Sequence, residues 1–296
     1  MIRGRGRGRG IVSGVNFSSS SVSGLSLWLD SVDQATISHT SGTMSQWNDK
    51  SGNSKNVTVA TSGTGFITNT RTINGKNAVD LNGTSACMRT SSRIFTAASP
   101  RTYVFVTKTD NAQPGTGTAR IISERFGGGG LVGTKTTNQF NFLHDYTSTG
   151  TFLRRSTVDS TIDTTNPWIG VCMWDGNGAT SGLNLYKNGS PEVAYSIDTA
   201  GPGTAVSADS AGMSIGASVD TSGTVIANTF YDGLIGEILI WNKVLGQSEI
   251  NLVGSYLSSK WGIGWSTLTL PTLVEWGDGT DVEWGDGTKI TWSVSS

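Results

Sequence analysis

Short runs of alternating apolar and polar residues recur along this chain, and clusters of glycine, asparagine and aspartate separate them. In LSLWLD, the alternation places Leu25, Leu27 and Leu29 on one face of a strand. Asn188-Gly189 predicts a tight hairpin turn, because both residues tolerate positive φ angles. Further strands are predicted by TYVFVTK (102–108), FNFLH (140–144), WIGVCMW (168–174), LNLYKNG (183–189) and LIGEILIWN (234–242). No alternating strand–helix pattern interrupts them, so the sequence predicts an all-β antiparallel sandwich.

One stretch, LGQSEINLVGSYLSSKWG, has helical periodicity instead. The helix is predicted to begin at Gln247 or Ser248 and to end at Gly262. Its apolar face is formed by Ile250, Val253 and Leu257. We expect this short C-terminal helix to cap an open end of the sandwich.

Both ends of the chain depart from the strand pattern, which predicts three parts: an extended arm (1–22), a body (23–264) and a β-rich tail (265–296). The arm contains MIRGRGRGRG, with the arginines Arg3, Arg5, Arg7 and Arg9. The tail repeats VEWGDGT, so the tryptophans recur every eight residues as Trp276, Trp284 and Trp292. Such a short repeat cannot bury its own tryptophans. They are predicted to pack on the body or on other subunits. A third hypothesis is that they form a platform on which a glycan stacks.

Charge separates the arm from the body. The chain has a formal net charge of −1, which becomes −5 without the four arginines of the arm. Affinity for nucleic acid rests on many Lys and Arg contacts to phosphate, so an acidic body argues against a nucleic-acid partner. The favoured hypothesis is that the arm contacts carboxylates and carbonyls of a neighbouring subunit and adds to a sheet edge. A nucleic-acid contact and a solvated tail are the alternatives.

The residues that could carry chemistry do not assemble into a catalytic pattern. Retaining glycoside hydrolysis needs two carboxyl groups about 5 Å apart, and Glu237 stands alone among aliphatic residues. His39 and His144 are the only two histidines, and neither belongs to a recognisable catalytic arrangement with Cys or with Ser and Asp. Cys87 and Cys172 fit no metal spacing, and we expect two free, buried thiols, with a disulfide as the alternative. The sequence therefore predicts a protein that is not an enzyme.

The body resembles a concanavalin A-like, laminin-G-type jelly-roll domain over roughly residues 23–264. The likeness is carried by GLSLWLDSVD, MSQWNDKSGNSKNVT (44–58), INGKNAVDLNGTSACM (73–88) and FYDGLIGEILIWNKVLGQSEINLVGSYLSSKWGI (230–263). It implies a two-sheet antiparallel jelly-roll sandwich with a concave face, often used to bind carbohydrate or protein. The residues that match the fold motif are Trp28, Asp30, Trp47, Asp49, Gly52, Trp241 and Trp261.

The same resemblance suggests a calcium site as an alternative, because relatives sometimes bind calcium near loop aspartates. Asp30, Asp49 and Asp232 stand at matching loop ends. No ligand set carries over residue by residue, and loop carboxylates commonly accept backbone hydrogen bonds instead. No metal or other cofactor is therefore predicted.

Jelly-roll domains with this motif are common in phage structural and fibre proteins and in bacterial surface proteins. The resemblance, the arm and the tail together predict a virion structural protein of a bacteriophage, either a capsid-decorating or a fibre-like subunit. Its partners would be other virion proteins and further copies of itself, preferably as a trimer, and a host-surface glycan is a further hypothesis.

The chain's targeting features agree with localisation in the virion. Residues 1–25 lack an apolar signal segment, and no apolar run is long enough to span a membrane, which fits assembly in the host cytoplasm. Two alternatives stay open: a secreted or surface carbohydrate-binding module, and a nucleic-acid-associated protein that uses the arm.

Overall fold

The computed structural model describes residues 16–95, 99–111, 118–124, 130–135, 137–145, 152–201, 212–220 and 222–268. The first half of the described strands are β1 (Leu25–Asp30), β2 (Ile37–Thr40), β3 (Thr43–Trp47), β4 (Val57–Val59), β5 (Ile67–Ile73), β6 (Lys76–Asn82), β7 (Met88–Thr90), β8 (Arg101–Asn111) and β9 (Thr118–Ser123). The second half are β10 (Gly130–Lys135), β11 (Gln139–Asp145), β12 (Phe152–Thr157), β13 (Trp168–Trp174), β14 (Leu183–Lys187), β15 (Ser190–Pro191), β16 (Tyr195–Thr199), β17 (Ser214–Ile215) and β18 (Asp232–Trp241). One helix, α1 (Gln247–Trp261), follows them in this part of the chain.

The strands form two layers. In the first layer, β1 and β6 lie along one side of β18, and β8, β13, β14 and β15 follow on the other side. The second layer runs in the order β2, β3, β4, β7, β17, β9, β10, β11, β12, β16. Strand β5 joins the layers, because it pairs with β6 and, at Ile67, with β3. All these strand pairs are antiparallel, as expected for a sandwich built from hairpins and long crossovers.

The first layer is apolar on both of its faces. Phe105 of β8 points between the layers, where its ring lies 5.3 Å from Trp168 and 5.9 Å from Phe140. Val104, its neighbour in β8, points the other way and packs with α1. Every residue of β13, WIGVCMW, is buried for the same reason. A strand buried on both faces reads as a continuous apolar run rather than a strict alternation.

Helix α1 covers a sheet face and does not cap an end of the sandwich, so that expectation is wrong. Its predicted apolar residues, Ile250, Val253 and Leu257, are buried against β8, β13 and β18. The reason is that the outer face of the first layer is apolar and needs a cover. The predicted boundaries are confirmed: α1 begins at Gln247, and Gly262 ends it in the left-handed conformation with φ 64°.

A second correction concerns the first strand. Leu27 and Leu29 lie in the core between the layers, but Leu25 packs with the α1 cluster. A register shift between Leu25 and Leu27 in the pairing with β18 breaks the alternation there. A bulge of this kind inserts a residue and turns the preceding side chain to the other face.

Other expectations are confirmed. The structure is an all-β sandwich with one short C-terminal helix. Asn188 and Gly189 form the predicted turn, with φ angles of 51° and 83°. Cys87 and Cys172 are free, buried thiols. Within the described ranges, no helix has both the length and the apolar character that crossing a membrane requires.

Candidate binding face

The second layer has one face toward the core and one face away from it, which we call the outer face. Phe140 and Phe142 of β11, Val132 of β10 and Leu153 of β12 fill the core between the layers. Their neighbours in sequence therefore belong to the outer face. Two adjacent rows of paired positions cross it, one of Arg120, Gly133, Asn141, Ser156 and Ile197, and one of Ser123, Leu131, Leu143, Arg154 and Thr199.

A bulge in β9 decides where Arg120 points. The pairing with β10 shifts between Val132 and Gly133, so that Ile121 and Ile122 both enter the core. Arg120, before the bulge, stays in the outer row opposite Gly133. A side chain at Gly133 is excluded, because a Cβ there would lie 1.9 Å from the carbonyl oxygen of Ala119. The row therefore has no side chain between Arg120 and Asn141.

Asn141 is the centre of a hydrogen-bonded group on this face. Its Oδ1 accepts from Arg154 Nε at 3.1 Å and from the hydroxyl of Ser156 at 2.7 Å. An arginine can only donate, so these contacts fix which end of the amide faces Arg154. The amide nitrogen of Asn141 is buried and has no hydrogen-bond partner in the structure. A buried donor left in this way typically costs about 1–3 kcal/mol.

Arg154 and its neighbour Arg155 have opposite environments. Arg155 Nε donates to Asp198 at 2.9 Å, and its guanidinium lies 4.4 Å from the ring centre of Tyr195. Arg154 pairs with no carboxylate of the described residues. Burial lowers the pKa of Arg154 below its ordinary value, because nothing described there compensates its lost hydration. Neither outer row contains an aspartate or a glutamate.

Four of the predicted fold-motif residues lie on the first layer and α1: Trp28, Asp30, Trp241 and Trp261. Trp28 Nε1 donates to Glu237 Oε1 at 2.7 Å, and Trp261 Nε1 donates to Glu237 Oε2 at 2.8 Å. Lys260 Nζ lies 2.8 Å from Glu237 Oε2 and 2.7 Å from Asp30 Oδ1. Tyr256 also donates to Glu237, at 2.7 Å. These contacts tie α1 to the sheet beneath it.

Two of these carboxyl groups have shifted pKa values in opposite directions. Burial raises the pKa of Glu237, despite the attraction of Lys260. Burial alone would raise the pKa of Asp30 too, but the charges and hydrogen bonds of Lys260 and Lys50 outweigh it and lower the pKa. Sequence reasoning set Glu237 aside because its neighbours in β18 are aliphatic. Its partners come from β1 and α1, and no local signal reveals them.

The loop that contains Asp49 and Gly52 protects an edge. Asp49 Oδ1 accepts from the backbone N–H groups of Trp28, at 2.9 Å, and Ser51, at 2.8 Å. Asn53 donates its side-chain amide to the carbonyl of Leu25 at 2.8 Å. The loop thereby satisfies backbone groups along the free side of β1, which would otherwise be open to another strand.

The remaining motif residues are buried nearby. Gly52 turns this loop with φ 94°. Trp47 is fully buried in the core between the layers. Trp241 is fully buried on the α1 side and donates to the carbonyl of Val22 at 3.3 Å. All these positions belong to the framework rather than to the outer face.

The three aspartates considered for calcium do not share a site. Asp30 is paired with lysines, and Asp49 accepts hydrogen bonds from its own loop. Asp232 lies at the other end of β18, opposite Asn82 of β6. The described residues bring together no group of three or more His, Cys, Asp or Glu side chains that could hold a metal ion.

The two histidines are also separate. His144 is buried in β11, with its ring centre 4.1 Å from that of Trp174, and burial lowers its pKa to about 3. His39 is exposed in β2, where its Nδ1 accepts from the N–H of Gly42 at 3.3 Å. Neither histidine lies in the two outer rows.

The predicted assembly residues of the arm and tail, Arg3, Arg5, Arg7, Arg9, Trp276, Trp284 and Trp292, lie outside the described residues. Among the described residues near them in sequence, Phe17 and Leu268 pack against helix α1 and its hydrophobic cluster. Phe17 stacks on Tyr256 with ring centres 4.5 Å apart. Leu268 donates its N–H to Asn251 Oδ1 at 2.9 Å, and it packs with the α1 cluster. Both connections therefore lie on the first layer, which is opposite to the outer face.

The strand order and the two layers define a jelly-roll-like β-sandwich. No protein-family model matches the chain, and a search of curated proteins finds no match.

Solved structures show the same fold. The chain is similar to domain 4 of AbnA, a GH43 extracellular arabinanase from Geobacillus stearothermophilus, in complex with arabinotriose. That match has a TM-score of 0.52 and 15% identity, and it covers 76% of this chain and 96% of the domain. A Trypanosoma rangeli sialidase in complex with sialic acid matches with a TM-score of 0.50 and 16% identity, over 81% of this chain and 33% of the sialidase. The chain thus spans about a third of that enzyme, and at these identities the likeness shows the fold alone.

Proposed function

We propose that this protein is a non-catalytic carbohydrate-binding module and that the outer face of its second layer is the binding surface. The observation that carries the proposal is the group around Asn141, where Arg154 and Ser156 converge on one amide whose own nitrogen has no partner. Binding sites for small polar ligands typically contain a few such fixed polar groups. The arabinanase domain of the same fold, solved with an oligosaccharide, supports this reading.

The chemistry of the face favours binding over hydrolysis. Glycoside hydrolases need two carboxyl groups, about 5 Å apart for retention or about 6.5–9.5 Å apart for inversion. The two outer rows contain no aspartate or glutamate among their positions. An amide, a hydroxyl and an arginine can hold a sugar, but they supply no acid–base pair.

Affinity electrophoresis of the full chain through gels that contain polysaccharides tests the proposal. We expect retardation by at least one polysaccharide and a loss of retardation in Asn141→Ala. Ser38→Ala, an exposed substitution in β2 of the second layer but outside both rows, is the matched control and should migrate like the wild type. Retardation that is equal in Asn141→Ala and wild type, or absent with every polysaccharide, would contradict the proposal.

A virion structural subunit is the second candidate function, with particle proteins and further copies as partners and a trimer as the preferred oligomer. The observation in its favour is that Phe17 of the arm and Leu268 of the tail both pack against the cluster that contains α1. Extensions that leave from this side would anchor the subunit through its first layer and keep the second layer away from that contact.

Light scattering of the full chain tests the second candidate. We expect a mass above that of a monomer, with subunits lost when the four arm arginines are changed to serine or when the three tail tryptophans are changed to serine. A monomer in all three samples would contradict self-assembly.

A further inference from the structure

We propose that the ligand of the outer face is an anionic glycan and that the guanidinium of Arg154 binds its carboxylate or sulfate group. This inference rests on the proposed carbohydrate-binding function and names the chemical class of its ligand.

The first step is the charge of Arg154. Other arginines of this protein are paired with carboxylates: Arg101 with Glu124, Arg71 with Asp110, and Arg155 with Asp198. Arg154 is partly buried and has no such partner among the described residues. An uncompensated, partly desolvated cation on a sheet face is complementary to an anion, because the anion restores the interaction that burial removed.

The second step is geometry. Arg154 Nε donates to Asn141 Oδ1 at 3.1 Å, and Ser156 donates to the same oxygen at 2.7 Å. These contacts hold one edge of the guanidinium. Its two terminal nitrogens form no hydrogen bond with the described residues. Two parallel N–H donors of this kind match a carboxylate or a sulfate in bidentate fashion, which a lysine cannot reproduce.

The third step is the surroundings of Arg154. Asn141 and Ser156 are fully buried, so they position the guanidinium of Arg154 from below the surface, and Arg154 is the group that reaches the ligand. Arg154 belongs to one of the two outer rows, which contain no aspartate or glutamate, in a chain whose formal net charge is −1. An anion bound to Arg154 therefore meets no opposing carboxylate among the positions of these rows.

Isothermal titration calorimetry of the full chain tests the inference with four probes: polygalacturonate for carboxylate, dextran sulfate for sulfate, dextran as the neutral glycan, and a single-stranded oligonucleotide. The variants are Arg154→Gln, Arg154→Lys and Lys76→Gln. Lys76 begins β6 in the first layer, so Lys76→Gln removes one positive charge away from the outer face.

We expect one of the two anionic glycans to bind more tightly than dextran. A charge-assisted hydrogen bond contributes about 1.5–3 kcal/mol, so Arg154→Gln should weaken that binding roughly ten- to a hundredfold. Arg154→Lys should recover only part of the affinity, because it restores the charge without the fork. Lys76→Gln should bind like the wild type. Binding of polygalacturonate would identify the anionic group of the ligand as a carboxylate, and binding of dextran sulfate would identify it as a sulfate.

Thr199→Glu provides a second variant in case Arg154→Gln disturbs folding. Thr199 is exposed and pairs with Arg154 in the register of β12 and β16. A carboxylate at this position would compete for the guanidinium and should abolish binding of the anionic glycan in a protein that stays folded.

Each of the other outcomes would overturn a specific part of the proposal. Preferential binding of dextran, or anionic binding that survives both Arg154→Gln and Thr199→Glu, would overturn the anionic class while leaving carbohydrate binding in place. Binding of no glycan at all would overturn the proposed function together with this inference. Binding of the oligonucleotide in preference to both anionic glycans would assign the face to nucleic acid and overturn the inference.

Discussion

Replacing Lys260 with methionine tests whether the buried ion pairs beneath α1 hold the helix to the sheet. Lys260 lies in the last turn of α1, 2.7 Å from Asp30 Oδ1 and 2.8 Å from Glu237 Oε2. Its side chain is 17% exposed, whereas those of Asp30 and Glu237 are 6% and 0% exposed. Methionine keeps an unbranched apolar stem, one atom shorter than the lysine side chain, but removes the charge that these two carboxylates share.

The expected loss follows from burial. Removing one partner of a buried ion pair typically costs about 3–5 kcal/mol, because the other charge stays buried without compensation. Asp30 keeps Lys50 at 2.8 Å, so the uncompensated group is mainly Glu237. We therefore expect a loss near the lower end, about 3 kcal/mol, and a fall in Tm of about 6–12 °C.

The assay is urea denaturation of the full chain at pH 7 and at pH 5, with unfolding monitored by tryptophan fluorescence. Lys243→Met is the matched control, since Lys243 pairs with Glu249 at 2.6 Å with both side chains about one third exposed. Such surface pairs typically contribute less than about 1 kcal/mol.

The pH dependence has a definite sign. Burial already raises the pKa of Glu237, and the loss of Lys260 removes the group that opposes this shift. A carboxyl group with a raised pKa binds its proton more tightly in the folded state, so stability increases as the pH falls through that pKa toward the pKa of the unfolded state. The cost of Lys260→Met should thus be smaller at pH 5 than at pH 7. A loss below 1 kcal/mol at pH 7, or a cost that grows at pH 5, would refute this account of the network.

Three further predictions concern stability and accessibility. Gly133→Ala should destabilise the protein by about 1–3 kcal/mol or more, because the new Cβ would collide with a backbone carbonyl of β9. Gly264→Ala is the control: open space surrounds Gly264, so the denaturation midpoint should change little. Asp49→Ala should lower the thermal midpoint and increase aggregation in light scattering, because it removes acceptors that cover the free side of β1, and an unchanged midpoint without aggregation would contradict that role. Burial raises the pKa of the Cys87 thiol to about 12, and Cys172 is also fully buried, so a thiol reagent should modify neither cysteine until denaturant is added. Rapid modification of the folded chain would contradict the described packing.

The sequence by itself determined where six of the strands, β1, β8, β11, β13, β14 and β18, and the helix lie. The apolar runs of β8, β13 and β18, the Asn188-Gly189 turn and the ends of α1 depend on local periodicity, on tolerance of positive φ and on helix capping. These signals act over a few residues, so they can be read without knowing the pairing of distant strands. The two-sheet sandwich followed from the same signals and from the resemblance to jelly-roll domains.

Only the tertiary structure decided which side chains meet. Helix α1 covers a sheet face because both faces of the first layer are apolar, and Glu237 finds Trp28 and Trp261 across that contact. On the outer face, Arg154 and Asn141 come together through the register of β11 and β12, and a bulge in β9 adds Arg120 to the row. A shift of one residue in any of these pairings would turn the side chains to the other face. Register is set by the packing of the whole core, so the side chains that meet on the outer face could not be predicted from local sequence.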